Sequence, residues 1–244
     1  MKVKTSILVV GLWIFTSVVV QAKETFPPPF KAHYQLYSSG LPVGQGTRQL
    51  SYLENGQLKF ESNSHTTGML ALFRDDKIFE QSIFSLKNDH VLPLVYVYDR
   101  KSSKKPKYLK VNFDWTNQIA DSTDKQDSWH VSITEGTLDK LVYQLVVMQD
   151  LMQGKRALSY QFVDEDEVKT YIPEFLGKER IETGMGMMDT LKYQRVSSNQ
   201  KRSTTLWCAP ELHYLPVRVD HDEKGYLIST VLQSVEGLGK VTKK

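Results

Sequence analysis

Thr137–Gly154 reads TLDKLVYQLVVMQDLMQG. Leu138, Leu141, Val142, Leu145, Met148, Leu151 and Met152 recur at intervals of three and four, the period of a helix. Thr137 is placed to cap its start, and Gly154 stands where helices often end. The polar side is narrow, consisting of Asp139, Lys140, Gln144, Gln149 and Asp150. A helix this apolar needs a broad hydrophobic surface to lie against. The concave face of a curled sheet supplies one.

The rest of the chain supplies that sheet. In FKAHYQLY, Phe30, Ala32, Tyr34 and Leu36 fall on one face, and Lys31, His33, Gln35 and Tyr37 on the other. In KYLKVNFDW, Leu109, Val111, Phe113 and Trp115 oppose Tyr108, Lys110, Asn112 and Asp114. Period two over such lengths means a strand with one buried face. Noisier runs follow near 45–53, 57–65, 77–87, 91–100, 127–133, 158–164, 168–175, 178–183, 188–197, 203–208, 214–221 and 226–235, separated by turn signals such as ENGQ, KNDH and DEKG. The expected fold is mainly β: a curved antiparallel sheet forming a barrel or half-barrel, with one amphipathic-to-apolar helix packed on or in it.

The chain opens with Lys2 and Lys4, an apolar run from Ser6 to Val20, and Val20-Gln21-Ala22. That is the pattern of a secretory signal peptide, with cleavage expected after Ala22, and it leaves one domain over 23–244. The apolar run is short against the roughly 20 residues of a bilayer span. No later segment is long enough to cross a membrane as a helix. Export to the periplasm of a Gram-negative-type envelope is the expected destination. Without the leader's two lysines, 29 basic residues face 28 acidic ones. A balance this close to neutral gives no global field for collecting nucleic acid.

Chemistry-bearing motifs are scarce. Cys208, the single cysteine, cannot form an internal disulfide. It lies in LWCAPELHYLPVRV (Leu206–Val219), which reads as strand, proline corner, strand. His213 and His221 follow it in sequence, but a cysteine sharing a strand face with Leu206 reads as a small apolar residue. None of the six histidines has metal-ligand spacing, so no metal and no cofactor is expected. The acidic runs VDEDEV and VDHDEKGY read as turns, and the basic loop DRKSSKKPKYLK as a hairpin tip that could meet anionic head groups. GMGMM (Gly184–Met188) reads as apolar contacts in a strand turn. GLPVGQG (Gly40–Gly46) joins two strands and lacks the Lys-Ser/Thr end of a phosphate loop. There is no GxSxG and no diagnostic carboxylate pair, so no catalytic residue is assigned.

Several of these stretches together resemble the DUF3108 family of bacterial exported proteins. Gly177, Glu179, Ile181 and Thr183 fit a G-x-E-x-I-x-T strand. Trp207, Ala209, Pro210, Glu211, Tyr214, Leu215, Pro216 and Val217 fit a Trp-x-Ala-Pro-(Asp/Glu)-x-x-Tyr-Leu-Pro-Val ending. Cys208 sits where that pattern is usually aliphatic. The resemblance implies a curved antiparallel sheet with a helix inside or across it, similar in outline to the periplasmic lipoprotein carriers of the LolA/LolB type. It carries over no catalytic residue.

The resulting expectation is a non-enzymatic binding or carrier protein for an apolar or amphipathic ligand, a lipid or a lipoprotein acyl chain. Leu141, Leu145, Met148 and Met152 of the helix and Tyr34, Phe113 and Trp115 of the sheet are the expected lining. The alternatives are a structural or interaction protein of envelope assembly, with an envelope protein as partner, and a hydrolase of envelope polymers.

Overall fold

The computed structural model describes residues 25–71, 75–197 and 200–239; the leader expected over 1–22 lies outside them. The first meander comprises β1 (Phe30–Ser38), β2 (Leu41–Tyr52), β3 (Leu58–Thr66), β4 (Lys77–Lys87), β5 (His90–Lys101), β6 (Lys107–Asp114), β7 (Ile119–Thr123) and β8 (Ser128–Ser132), with one helical turn, α1 (Gly68–Ala71), between β3 and β4. A middle section follows: β9 (Thr137–Leu138), α2 (Tyr143–Met152), β10 (Tyr160–Asp164) and β11 (Glu167–Tyr171). The second meander is β12 (Glu174–Thr183), β13 (Gly186–Val196), β14 (Arg202–Ala209), β15 (Leu215–Glu223) and β16 (Tyr226–Glu236).

The two meanders become one sheet because the last strand pairs with the first. β16 lies antiparallel to β1, from Lys31 opposite Glu236 to Ser38 opposite Ile228. The order in the 13-stranded sheet is β12-β13-β14-β15-β16-β1-β2-β3-β4-β5-β6-β7-β8. Its edges, β12 and β8, do not pair with each other, so the sheet does not close. A separate 3-stranded sheet, β11-β10-β9, is built from the middle section.

The inner face is closed by apolar packing. Phe30, Leu50, Phe60, Phe84, Val111 and Leu232 from the sheet join Leu141, Val142, Leu145, Met148 and Leu151 from the α2 region in one buried cluster. The helix is shorter than its apolar pattern. Thr137 and Leu138 pair in parallel with Gln161 and Phe162, so they belong to a strand and not to the helix. Thr137 therefore does not cap α2. The N-cap position of α2 is Val142, which has no side-chain cap. Asp139 instead holds the turn leading into the helix, its Oδ1 accepting from the amides of Leu141 (2.8 Å) and Val142 (2.7 Å). At the other end Gly154 (φ +90°) closes the helix as expected. Its amide reaches Leu151 O, and the Lys155 amide reaches Asp150 O, the paired bonds of a Schellman motif.

Other departures from the sequence reading have local causes. β7 shows no apolar alternation because its inward positions are Ala120 and Ser122. The run at 168–175 is two strands, separated at Ile172 and Pro173. The proline corner is as expected, with β14 and β15 joined by a short 3-10 turn, Pro210–Leu212. His213 and Tyr214 then take left-handed φ of 53° and 60°, and the Tyr214 amide donates to Ala209 O at 2.8 Å.

Leu145 and Leu151 are 0% exposed and Met148 is 1% exposed, so this face of the helix is packed against side chains. Leu145→Ala is accordingly expected to remove about 2–5 kcal/mol of stability, read from urea unfolding. A loss below about 1 kcal/mol would mean that the helix face borders open space.

Candidate functional site

The register places side chains in rows across the concave face. One row runs Phe30, Leu50, Phe60, Ser82, Tyr96, Val111, Ser122. The next, one residue pair toward the hairpin at Ser39–Gly40, runs Ala32, Arg48, Ser62, Glu80, Tyr98, Leu109. Arg48 and Glu80 therefore stand on the same row with one strand between them, about 10 Å apart at the backbone. The following row holds Tyr34, Gly46, Ser64 and Ile78.

Two features distinguish this part of the face. Its floor is low, because β2 and β3 present Gly44, Gly46, Ser62 and Ser64 as neighbours there. A side chain is barred at Gly44, where a Cβ would lie 2.6 Å from His65 O. Around this floor Arg48, Glu80, Tyr98 and the first residue of α2, Tyr143, are only partly buried. Deeper on the face, at Phe30, Leu50, Phe60 and Tyr96, the packing is dry.

The charged groups are incompletely matched. The Arg48 guanidinium lies over the Tyr34 ring, 5.2 Å from its centroid, and its Nη1 is buried without a hydrogen-bond partner. The Glu80 carboxylate accepts from the Tyr96 hydroxyl at 2.8 Å. Burial pushes the Glu80 pKa up, and the Tyr96 bond and the charges of Arg48 and Lys140 offset part of that. Tyr143 is pushed up to about 12 by burial, within reach of the charges of Arg48, Glu80 and Arg195. Its ring packs on Tyr171 at 5.4 Å and on Phe162 at 6.0 Å, and the Arg195 guanidinium lies 5.4 Å from the Tyr171 centroid. The Tyr171 hydroxyl is buried and unpartnered. Buried donors left unpaired each cost on the order of 1–3 kcal/mol; Arg100 Nε and Ser122 Oγ are in the same state elsewhere on the sheet.

Beneath this region sits Asp139. Its Oδ2 accepts from Ser82 Oγ at 2.5 Å while Oδ1 holds the Leu141 and Val142 amides of the turn before α2. Burial raises its pKa to about 6 against those three bonds.

The expected lining residues divide differently. Leu141, Leu145, Met148, Tyr34 and Phe113 are buried members of the core. Met152 and Trp115 stand at its margin, the Trp115 indole donating to Pro93 O at 2.7 Å. Tyr34 alone adjoins the polar region, through Arg48. Arg48, Glu80, Tyr98 and Tyr143 were missed; for the first three the sequence signal was a charged or phenolic residue on the inward phase of a strand, legible only with the register, and Tyr143 lay inside the apolar helix pattern.

Two other sequence candidates, Cys208 and the Glu179–Trp207 motif, are buried or engaged. Cys208 is 0% exposed, and burial pushes its thiol up to about 12, so it presents no thiolate. On the convex face Glu179 and Trp207 meet: the indole N–H donates to Glu179 Oε2 at 3.0 Å, Lys192 Nζ approaches the same oxygen at 2.8 Å, and Lys192 and Arg218 lie about 5 Å from the indole ring. A cleft of about 440 Å³ borders this network, but its one motif carboxylate is engaged. Among the described residues no three His, Cys, Asp or Glu side chains converge as a metal site requires. No helix among them is long and apolar enough to cross a membrane.

Fold and site together define an open, barrel-like antiparallel sheet wrapped on a buried helix, with a polar region on its concave side. The chain belongs to the DUF3108 family, described as a protein of unknown function, whose model matches residues 30–225. Among solved structures it is similar to a β-barrel-like protein of the domain of unknown function DUF1849 from Brucella abortus, with a TM-score of 0.55 and 8% identity over 86% of this chain and 98% of that one. That likeness concerns the fold alone. No curated protein matches the sequence.

Two measurements check the site's physical state. Asp139 has a folded pKa of about 6 against 3.8 for the free acid. The folded protein thus binds more protons than the unfolded chain between those values, and this group's contribution to stability falls as pH rises through them. The loss is on the order of 1–3 kcal/mol. Asp139→Asn cannot ionise, so the stability difference between wild type and variant should shift in the variant's favour by that amount from about pH 4 to about pH 7. Unfolding curves across that range test the sign. Cys208 should resist a maleimide in the native protein and label fully in denaturant; rapid native labelling would contradict its burial.

Proposed function

We propose that this is a non-enzymatic binding or carrier protein of the periplasm that takes an apolar or amphipathic ligand, a lipid or a lipoprotein acyl chain, on the concave side of its sheet. One observation carries the reading: beside the packed part of the inner face, the floor at Gly44, Gly46, Ser62 and Ser64 is low, and Arg48, Glu80, Tyr98 and Tyr143 around it remain partly accessible. Apolar walls with a few placed polar groups are the usual make-up of a small-molecule site. The Lys2–Ala22 leader pattern supports the location. The barrel-like fold suits a ligand held within a curved sheet, although a fold by itself does not fix a function.

The reading moves the site away from the helix face at Leu145 and Met148. A ligand there would have to displace core side chains, whereas at Ser64 it meets a hydroxymethyl group and solvent. Protein purified from its native compartment is therefore expected to release a lipid on organic extraction, identified by mass spectrometry. Ser64→Phe, which fills the floor, should lower the lipid recovered per chain by more than about half while leaving the unfolding midpoint nearly unchanged. Lipid-free wild-type protein would retire the carrier function.

A further inference from the structure

We infer that the concave site takes the acidic head of a single-chain lipid, a carboxylate or a phosphate ester, held by Arg48 and Arg195 in the neighbourhood of Tyr143. This rests on the binding function proposed above and specifies its ligand.

The count of donors and acceptors leads there. Each carboxylate near the site is already engaged. Glu80 accepts from Tyr96, and Asp139 from Ser82 and two amides. Asp164 is taken by Lys140 (2.5 Å) and Lys169 (2.7 Å), and Asp76 by Arg100 (3.1 Å). The donors are in surplus. Arg48 Nη1 and the Tyr171 hydroxyl are buried and make no hydrogen bond, and the Arg195 guanidinium rests on the Tyr171 ring.

These groups come from three parts of the chain. Arg48 is on β2, Tyr171 on β11, and Arg195 on β13 opposite Thr204 of β14. Tyr143, at the start of α2, is the common neighbour: its ring touches Tyr171, and its hydroxyl feels the charges of Arg48 and Arg195. A hydrocarbon chain laid here would leave the free donors unsatisfied, while a neutral head with one acceptor would leave two half-buried cations without a counter-charge. An anion with two or three acceptor oxygens answers both, because guanidinium bonds to carboxylate and phosphate are charge-assisted. The aromatic rings of Tyr143, Phe162 and Tyr171 and the low floor beyond Arg48 then suit the apolar part of the same molecule.

The test uses delipidated full-length mature protein and the fluorescent probe cis-parinaric acid beside its methyl ester, which has the same chain and no charge. Wild type should bind the acid about tenfold or more tightly than the ester. Arg48→Gln and Arg195→Gln should each erase most of that preference while still binding the ester, which also shows that the variants are folded. Lys104→Gln, on the exposed β5–β6 loop, should change nothing. Lysophosphatidic acid should displace the probe at micromolar levels and inorganic phosphate should not; displacement by inorganic phosphate alone would overturn a lipid head in favour of a free anion. Equal binding of acid and ester by wild type would overturn the anion inference and leave the binding function standing. Failure of both probes to bind would overturn both.

Discussion

A sheet that curls without closing has an inner face that must be covered, and here the cover is a ten-residue helix held at both ends by β4 and the turn after it. At its start, Asp139 joins Ser82 of β4 to the amides of Leu141 and Val142. Near its end, Gln149 donates to the carbonyl of Asp89, in the β4–β5 turn, at 2.7 Å. A helix of this length is marginal in water. Its persistence depends on the buried cluster around Leu145, Met148 and Leu151, and that cluster forms only if the helix enters the curve at the right height. The carboxyl that sets the height is itself enclosed, so its two roles conflict. As an acceptor of three hydrogen bonds it organises the helix; as a potential charge it is penalised by the burial that organisation creates.

Much of this was written locally in the chain. The three- and four-residue spacing from Leu138 to Met152 announces an apolar helix, and the alternation in Phe30–Tyr37 and Lys107–Trp115 announces half-buried strands. What could not be read locally was pairing at long range. Nothing in Tyr226–Glu236 says that it will meet Phe30–Ser38, yet that contact fuses two meanders into one sheet. The helix start was misplaced because Thr137 and Leu138 fit a helical phase as well as a strand, and only the partner strand β10 settles which they adopt.

The site was less legible than the fold, for a related reason. Sequence patterns find the residues with the strongest apolar signal, and folding buries those most completely. Leu141, Leu145 and Met148 stand out in the sequence and end in a dry core. Arg48 and Glu80 look like interruptions in their own strands. They become a site only when β2, β3 and β4 are set side by side and the two fall on one row, with Ser62 between them.

That row is hard to explain by stability. Replacing buried or half-buried charges with apolar side chains of similar size is often neutral or favourable by about 1–4 kcal/mol. Methionine at Arg48 and leucine at Glu80 would extend the apolar packing of Phe30, Leu50 and Phe60 on the neighbouring row and remove an unpaired Nη1. The neighbours do not demand a charge: Ala32 and Ser62 are small, and Tyr34 is already bonded through its hydroxyl to Pro216 O at 3.1 Å. Nor do Arg48 and Glu80 serve each other as a salt bridge, since Glu80 spends its bond on Tyr96. A polar row that folding would trade away, facing a floor of glycine and serine and a tyrosine at the head of the buried helix, is the arrangement expected where a third party completes the hydrogen bonding. The dry half of the cup accounts for the stability of the protein, and the polar half for the presence of charges that stability does not need.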